Sequence, residues 1–235
     1  MNKAKKTYLI ILYSVTLVAI IVGIAIHMGG FFGFFLTAGK SEIVNHRPTN
    51  KIDTISLTVD VGDVTIYPGE RLEVSCEYPE AYMPKVWDEN GVLYVTQKTD
   101  TSVKKGIYKI RITIPADSNI NLVIESSLGD VKVRDMTLRS VGITLSLGDI
   151  NLDNVSGEQL KITSNMGDTD VSNCDFKVIT AVGNMGDLKI DGDFDEITAR
   201  TDMGDIKIRT DRPESEISIK ADTDLGSVKI NGEKR

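Results

Sequence analysis

From Leu122 to Ile230 the chain alternates apolar and polar residues, and it does so in six aligned copies. A glycine fixes each copy: Gly129, Gly148, Gly167, Gly186, Gly204 and Gly226, at spacings of 19, 19, 19, 18 and 22 residues. Seven residues before the glycine stand Leu122, Val141, Leu160, Ile179, Ile197 and Ile219; five before stand Ile124, Ile143, Ile162, Ala181, Ala199 and Ala221. The column three before is mostly small: Ser126, Leu145, Ser164, Gly183, Thr201 and Thr223. Period-two spacing of this kind buries one face of an extended strand. After the glycine the phase changes. Apolar columns now lie two residues on (Val131, Ile150, Thr169, Leu188, Ile206, Val228) and four on (Val133, Leu152, Val171, Ile190, Ile208, Ile230). A strand whose inward parity shifts at a glycine turns a corner there, and glycine tolerates the positive φ of such a corner. Asp135, Asn154, Asn173, Gly192, Thr210 and Gly232 then mark an exit turn. Each copy therefore reads as two short strands joined at a bend.

A unit of about 19 residues with two strands and no helical period suits one coil of a β-solenoid. Coils stacked at ~4.8 Å would make a core about 25–30 Å long. A two-sheet sandwich of meandering strands also gives short strands at even spacing, but it does not require the same residue type in every column. Upstream, Ile55, Leu57, Val59 and Val61 precede Gly62-Asp63, and Val64 and Ile66 follow it, at the same offsets. They predict a first coil. The insertion from Tyr67 to Asn121 holds Leu72, Val74 and Cys76 in alternation, a hairpin signal at Asn90-Gly91, and a run from Ile107 to Ile114 ended by Pro115. It is expected to form antiparallel strands that cap the open amino-terminal end.

The first residues are of another kind. Lys3, Lys5 and Lys6 precede an uncharged run from Thr7 to Gly39, interrupted only by His27. Tyr8 to His27 would span about 30 Å as a helix, which matches a bilayer core and predicts one transmembrane anchor. A cleavable signal peptide, the alternative, has a shorter apolar region and a small-residue cleavage site, which Thr37-Ala38-Gly39 matches poorly. Three lysines before the span against Lys40 just after it predict a cytoplasmic amino terminus and an extracytoplasmic remainder at the cell membrane. The expected domains are 1–39, tip and anchor; 40–50, juxtamembrane linker; 51–121, first coil and β cap; 122–235, six-coil solenoid. Net charge is −7, and residues 1–39 hold three lysines and no acid, so the rest carries −10. Such a surface is unsuited to nucleic acid or anionic lipid.

Candidate chemistry is sparse. Cys76 and Cys174, the only cysteines, are far apart in strand contexts and read as two buried thiols. His27 falls in the span and His46 in the linker, which leaves no histidine for a triad in the folded part. No phosphate loop or nucleophile elbow is present. The remaining candidate is the acidic column after the glycine: Asp63, Asp130, Asp149, Asp168, Asp187 and Asp205, with Ser227 in the last copy. Stacked carboxylates invite a Ca²⁺ reading, but the nine-residue period of calcium-binding β-helices is missing. The other reading is that each aspartate caps backbone N–H groups at its own corner. Lys132, Lys189, Lys207 and Lys229 would offset the charge, with Asp170 breaking that column. These Gly-Asp pairs are thus expected to be structural, with no catalytic residue, cofactor or metal. Tyr67, Tyr78, Tyr82, Trp87, Tyr94 and Tyr108 are expected as the core of a small β-unit, the alternative being a carbohydrate- or peptide-holding cluster. The loop from Thr210 to Ile217, with Pro213, is the irregularity of the array, a place where repeat proteins carry binding surfaces.

An amino-terminal anchor, an Ile-x-Leu-x-Val strand at Ile55 to Val59, a strand ending in Ile114-Pro115-Ala116, and repeated Ser/Thr-x-Met/Leu-Gly-Asp-Ile/Val units form a combination. It resembles the bacterial putative-adhesin β-solenoid domains of unknown function, and is similar to membrane-anchored Lia-type envelope-stress operon proteins of Gram-positive bacteria. The resemblance spans about residues 50–231. It implies a cell-envelope location, a non-catalytic role in adhesion, scaffolding or stress sensing, and no catalytic residues to carry over. One departure is Met or Leu before the glycine, where many relatives have Asn or Ser. The first functional expectation is a single-pass solenoid that binds an envelope protein or glycan. A second is a structural module that self-associates through its last coil. A third, an envelope-glycan enzyme, lacks an acid–base pair that departs from the repeat.

Overall fold

The alternation from Leu122 to Ile230 folds into strands that stack in parallel, like residue on like residue. The computed structural model describes residues 41–99 and 105–234. Its amino-terminal strands are β1 (Ser41–His46), β2 (Thr54–Val59), β3 (Asp63–Pro68), β4 (Glu73–Pro79), β5 (Lys85–Glu89), β6 (Val92–Gln97) and β7 (Lys109–Ile114). The array follows as β8 (Asn121–Leu128), β9 (Val131–Thr137), β10 (Ser140–Leu147), β11 (Ile150–Met166), β12 (Thr169–Met185), β13 (Leu188–Asp193) and β14 (Glu196–Met203). It ends with β15 (Ile206–Arg209), β16 (Ser218–Leu225), β17 (Val228–Ile230) and β18 (Glu233–Lys234). The run from Tyr8 to His27 lies outside the described residues, among which no helix is long and apolar enough to cross a membrane.

Register is continuous through the array. Leu122, Val141, Leu160, Ile179, Ile197 and Ile219 face one another in succession, as do Val131, Ile150, Thr169, Leu188, Ile206 and Val228. Through the first five coils the apolar columns seven and five before the glycine and two and four after it are at most 2% exposed. All of these pairings are parallel, with each strand one coil from its partner, so the sandwich alternative is excluded. The fold is an all-β solenoid.

The coils in the middle of the array have three sides, not two. β11 and β12 run through the exit turn onto a short third side whose inward residues are Met136, Val155 and Cys174, then Leu138, Gly157 and Phe176. The turn itself is made by Asp135, Asn154 and Asn173 at φ of 56°, 55° and 55°. Asp and Asn are the residues that enter the left-handed region at least cost, because their short polar side chains bond locally. Gly157 is small so that its neighbour can be large: a Cβ there would sit 2.7 Å from the Leu138 carbonyl oxygen and 2.9 Å from the Phe176 ring.

At the amino-terminal end β2 and β3 form the first coil, in parallel with β8 and β9. The insertion departs from the expected antiparallel cap. β6 pairs in parallel with β2, and β7 in parallel with β3, so the chain adds a further layer beneath the first coil before crossing back to β8. Leu93 and Val95 continue the Ile55 and Leu57 columns, and Ile110 and Ile112 continue those of Val64 and Ile66. That match of apolar phase explains why the layer joins in parallel. Only then come antiparallel strands: β5 on β6 through Asn90-Gly91, β4 on β7, and β1 on β4. Residues 41–46 are thus a strand, where a linker was expected. Their backbone groups pair with an edge of β4 that would otherwise stand open.

Candidate functional site

The Gly-Asp pairs form one straight edge of the solenoid. Gly167, at φ 131°, occupies a region essentially closed to side chains. A Cβ there would also fall 1.9 Å from the Gly148 carbonyl oxygen of the coil before, so two independent constraints select glycine. At Gly226 the close approach to the Gly204 oxygen, 2.0 Å from an added Cβ, suffices on its own.

The aspartates work between coils rather than at their own corners. Oδ1 of Asp63 accepts the backbone N–H of Asp130 at 3.2 Å, and Asp130 accepts that of Asp149 at 3.1 Å. Asp149 accepts from Asp168 and Asp168 from Asp187, each at 2.9 Å, and Asp187 from Asp205 at 2.8 Å. Asp205 closes the series by accepting both the N–H and the hydroxyl of Ser227 at 2.9 Å. The N–H at each corner points along the stacking axis, so the nearest acceptor is the carboxylate of the preceding coil. Lysines offset the charge: Lys132 lies 3.7 Å from Asp130, and Lys207 lies 3.6 Å from Asp187. Asp170, which interrupts the lysine column, receives Lys189 of the next coil at 2.8 Å. Burial pushes the Asp170 carboxyl up, but the bonds from Lys189 and Ser172 outweigh it and hold the group below its ordinary value. Among the described residues no group of His, Cys, Asp or Glu is arranged to hold a metal ion.

Beside this edge lies a feature that parity alone would misplace. Leu128, Leu147, Met166, Met185, Met203 and Leu225 stand in successive coils in direct register, yet each is 42–64% exposed. Alternation would turn them inward with Leu122 and Ile124. The corner at the next residue lifts them out, and the result is an apolar ladder running the length of the array. Polar columns flank it, with the aspartates on one side and Ser127, Ser146, Asn165 and Asn184 on the other. Asn184 donates to Asn165 at 3.0 Å, which orders that flank.

Cys76, Cys174 and His46 are the other candidate reactive groups. Cys76 and Cys174 are buried and free, and burial pushes their thiols up to about 12 and about 11, far from a thiolate nucleophile. His46 sits on β1, in the folded part, 3.5 Å from Asp88. The nearest acidic atom to its Nε2 is that Asp88 oxygen, and among the described residues no hydroxyl bonds to it, as a triad would require. The aromatic residues divide. Tyr78 is buried, donates its hydroxyl to the Val61 carbonyl at 2.8 Å, and meets Tyr108 edge to face. Trp87 departs from the expected core: it is 40% exposed and stacked on its cross-strand neighbour Tyr94 at 5.0 Å. On the third side a shallow groove is lined by Asp117, Asp135, Asn154, Asn173 and Asp175. Asn154 donates to Asp135 at 2.9 Å, and Asn173 to Asp153 at 3.0 Å, so both amides on this side are partnered.

Residues 26–235 match the family model described as Toastrack DUF4097. The structure is similar to that of a putative adhesin from Bacteroides fragilis NCTC 9343, at 17% identity and a TM-score of 0.54, covering 81% of this chain and 97% of that one. A putative cell adhesion protein from Clostridium sporogenes ATCC 15579 matches at 18% identity and a TM-score of 0.47, covering 81% of this chain and 98% of that one. The first of these likenesses is one of fold. No curated protein matches the chain.

Proposed function

We propose that this chain, which belongs to the Toastrack DUF4097 family, is a non-catalytic binding rod of the cell envelope, held at the membrane by its amino-terminal apolar run. The observation that carries the reading is the Leu/Met ladder. Six large apolar side chains in register, half exposed and rimmed by polar columns, make a contiguous strip of the kind that soluble monomers rarely leave uncovered. Rigid stacking fixes their spacing, so a partner meets a preorganised surface and little ordering entropy is lost on binding. Apolar character favours an envelope protein over a glycan. A glycan would be drawn instead to the Trp87–Tyr94 stack. The Gly-Asp pairs serve this surface as its frame, since they set the corner that turns the ladder outward. The folded part faces the outside, following the lysine bias at the amino terminus.

Site-specific photocrosslinking in living cells tests the reading. A photoreactive residue at Met166 or Met185 should capture an envelope protein, whereas one at Lys161, on the outward face of the sheet, should not. Equal capture at all three positions would remove the ladder as the contact surface. Protease added to intact cells should digest the folded part, and full protection would refute the orientation.

A further inference from the structure

β16 has a neighbour on one side only. It pairs in parallel with β14, and among the described residues no strand lies along its other edge. The adjoining side of the same coil is closed, because β17 turns through Asn231-Gly232 into β18, which pairs with it at Ile230–Glu233 and Lys229–Lys234. Nor does the long loop before β16 cover the end. Arg212 ties it to the flank of the preceding coil, donating to Asp195 at 2.7 Å and to the Phe194 carbonyl at 3.1 Å. Ile217, Ile219, Ala221 and Val228 are therefore only partly buried, whereas Ile197, Ala199 and Ile206 one coil back are at most 1% exposed.

The backbone decides which groups are free. Ser218 donates its N–H back to the Asp195 carbonyl, and along a strand successive residues direct their N–H and C=O to opposite sides. Ile219, Ala221 and Thr223 accordingly direct theirs to the open edge. We propose that this edge pairs with the same edge of a second copy of the chain, antiparallel about a two-fold axis through Ala221. Three observations select that partner and that register. Residues directly opposite in a sheet point to one face, so inward residues must meet inward residues. Ala221 then faces Ala221 of the second copy, and Ile219 faces Thr223; these are the residues with free backbone groups, and each such pair exchanges two hydrogen bonds. On the outer face the same register sets Lys220 opposite Asp222 of the second copy, twice over by symmetry. Moving the axis to Thr223 would set Asp222 opposite Asp224, and moving it to Ile219 would set Glu216 opposite Asp222, like charges in both cases. The pairing also brings the two half-covered core ends together, a self-complementary contact of the closed two-fold type.

Cysteine crosslinking of the full chain tests it. Directly opposed strand residues lie about 5.5 Å apart at Cα, within disulfide reach, so Ala221→Cys should give a covalent dimer on mild oxidation. Thr223→Cys faces Ile219, and Lys161→Cys faces solvent; neither should form a covalent dimer. The native Cys76 and Cys174 are buried and should not contribute. In the Ala221→Cys background, Lys220→Asp or Asp222→Lys alone should weaken association roughly tenfold, and the two together should restore it. Sedimentation of the unsubstituted chain should show a dimer that Lys220→Asp reduces, which guards against a cysteine variant that folds poorly. Crosslinking of Ala221→Cys no greater than that of Lys161→Cys overturns the proposal. So does crosslinking of Thr223→Cys with equal ease, or a double charge reversal that fails to rescue.

Discussion

The two ends of the solenoid share their columns and differ in what covers them. At the amino-terminal end a further layer, β6 and β7, is followed by β5, β4 and β1, and Leu93, Ile110, Ile112 and Tyr78 are fully buried there. At the carboxyl end the same inward columns reach Ile219, Ala221 and Val228 and stay half covered. Repetition propagates a core but cannot finish one, because every coil presents to the next the edge that it needs covered itself. Closure takes sequence that breaks the repeat. The insertion supplies it at one end, and at the other, among the described residues, the two of β18 do so.

The largest effect that sharpens this contrast is a buried charge. Ile162→Asp, in the middle of the array, should unfold the domain, since a lone charge in a dry core costs several kcal/mol against a total stability of about 5–15. Ile219→Asp, in the half-covered last coil, should leave a folded protein with a lower denaturant midpoint. Chemical denaturation of both variants checks it, and equal losses would mean that the carboxyl end is as closed as the centre. Glycine gives the next contrast. Gly167→Ala meets the Gly148 carbonyl as well as a forbidden φ and should cost about 3 kcal/mol or more. Gly232→Ala, in the terminal hairpin, has nothing within 4 Å of an added Cβ and should cost only about 1 kcal/mol, from φ alone. Matching melting temperatures for the two would show that the close approach of the coils contributes nothing.

These contrasts also mark how far the sequence could be read. The inward columns beside the glycine were legible because period two was repeated in every copy with the same residue types. The third side was not, since Met136 and Leu138, Val155 and Gly157, and Cys174 and Phe176 share no residue type and span only two inward positions. A signal existed: inward parity passes from odd at Val171 to even at Cys174 and returns to odd at Ile179. The layer formed by β6 and β7 was hidden because its two halves are separated in sequence and lack the Gly-Asp corner. Of the candidate surface, the column of Met and Leu was visible as a column, but its exposure depends on the corner, a three-dimensional fact. The aspartate bonds were anticipated in kind and misplaced by one coil.

Smaller effects probe the frame. Tyr78→Phe removes the bond to the Val61 carbonyl at the closed end and should cost about 1–2 kcal/mol. Asp168→Ala should cost about 0.5–2 kcal/mol, as a lost backbone acceptor does, while Asp168→Asn keeps an oxygen for the Asp187 N–H and should cost less. A calcium site would reverse that order, and EDTA would then lower the melting temperature of the unsubstituted chain.

The smallest expected effect is a pH dependence at the open end. Asp205 accepts the hydroxyl and the N–H of Ser227, and these bonds, the hydroxyl first, hold its carboxyl below the ordinary value despite some opposing desolvation. A group whose folded value is depressed binds its proton more readily in the unfolded chain. Its stabilising contribution is complete above the unfolded value of about 3.9 and fades as pH falls through the lower folded value. Ser227→Ala removes the larger of the two bonds, so the folded value should rise toward the ordinary one and the acid limb of the stability curve should flatten. The loss in the same variant should therefore appear near neutral pH, where the carboxylate is charged, and disappear in acid; it should stay small because the backbone N–H remains as a donor to Asp205. The carboxyl carbon shift of Asp205, followed by NMR from pH 6 to about 2, reads the change directly. An unchanged titration midpoint in Ser227→Ala would mean that the hydroxyl does not hold the carboxylate, and that Ser227 stands in the aspartate column without replacing its bond.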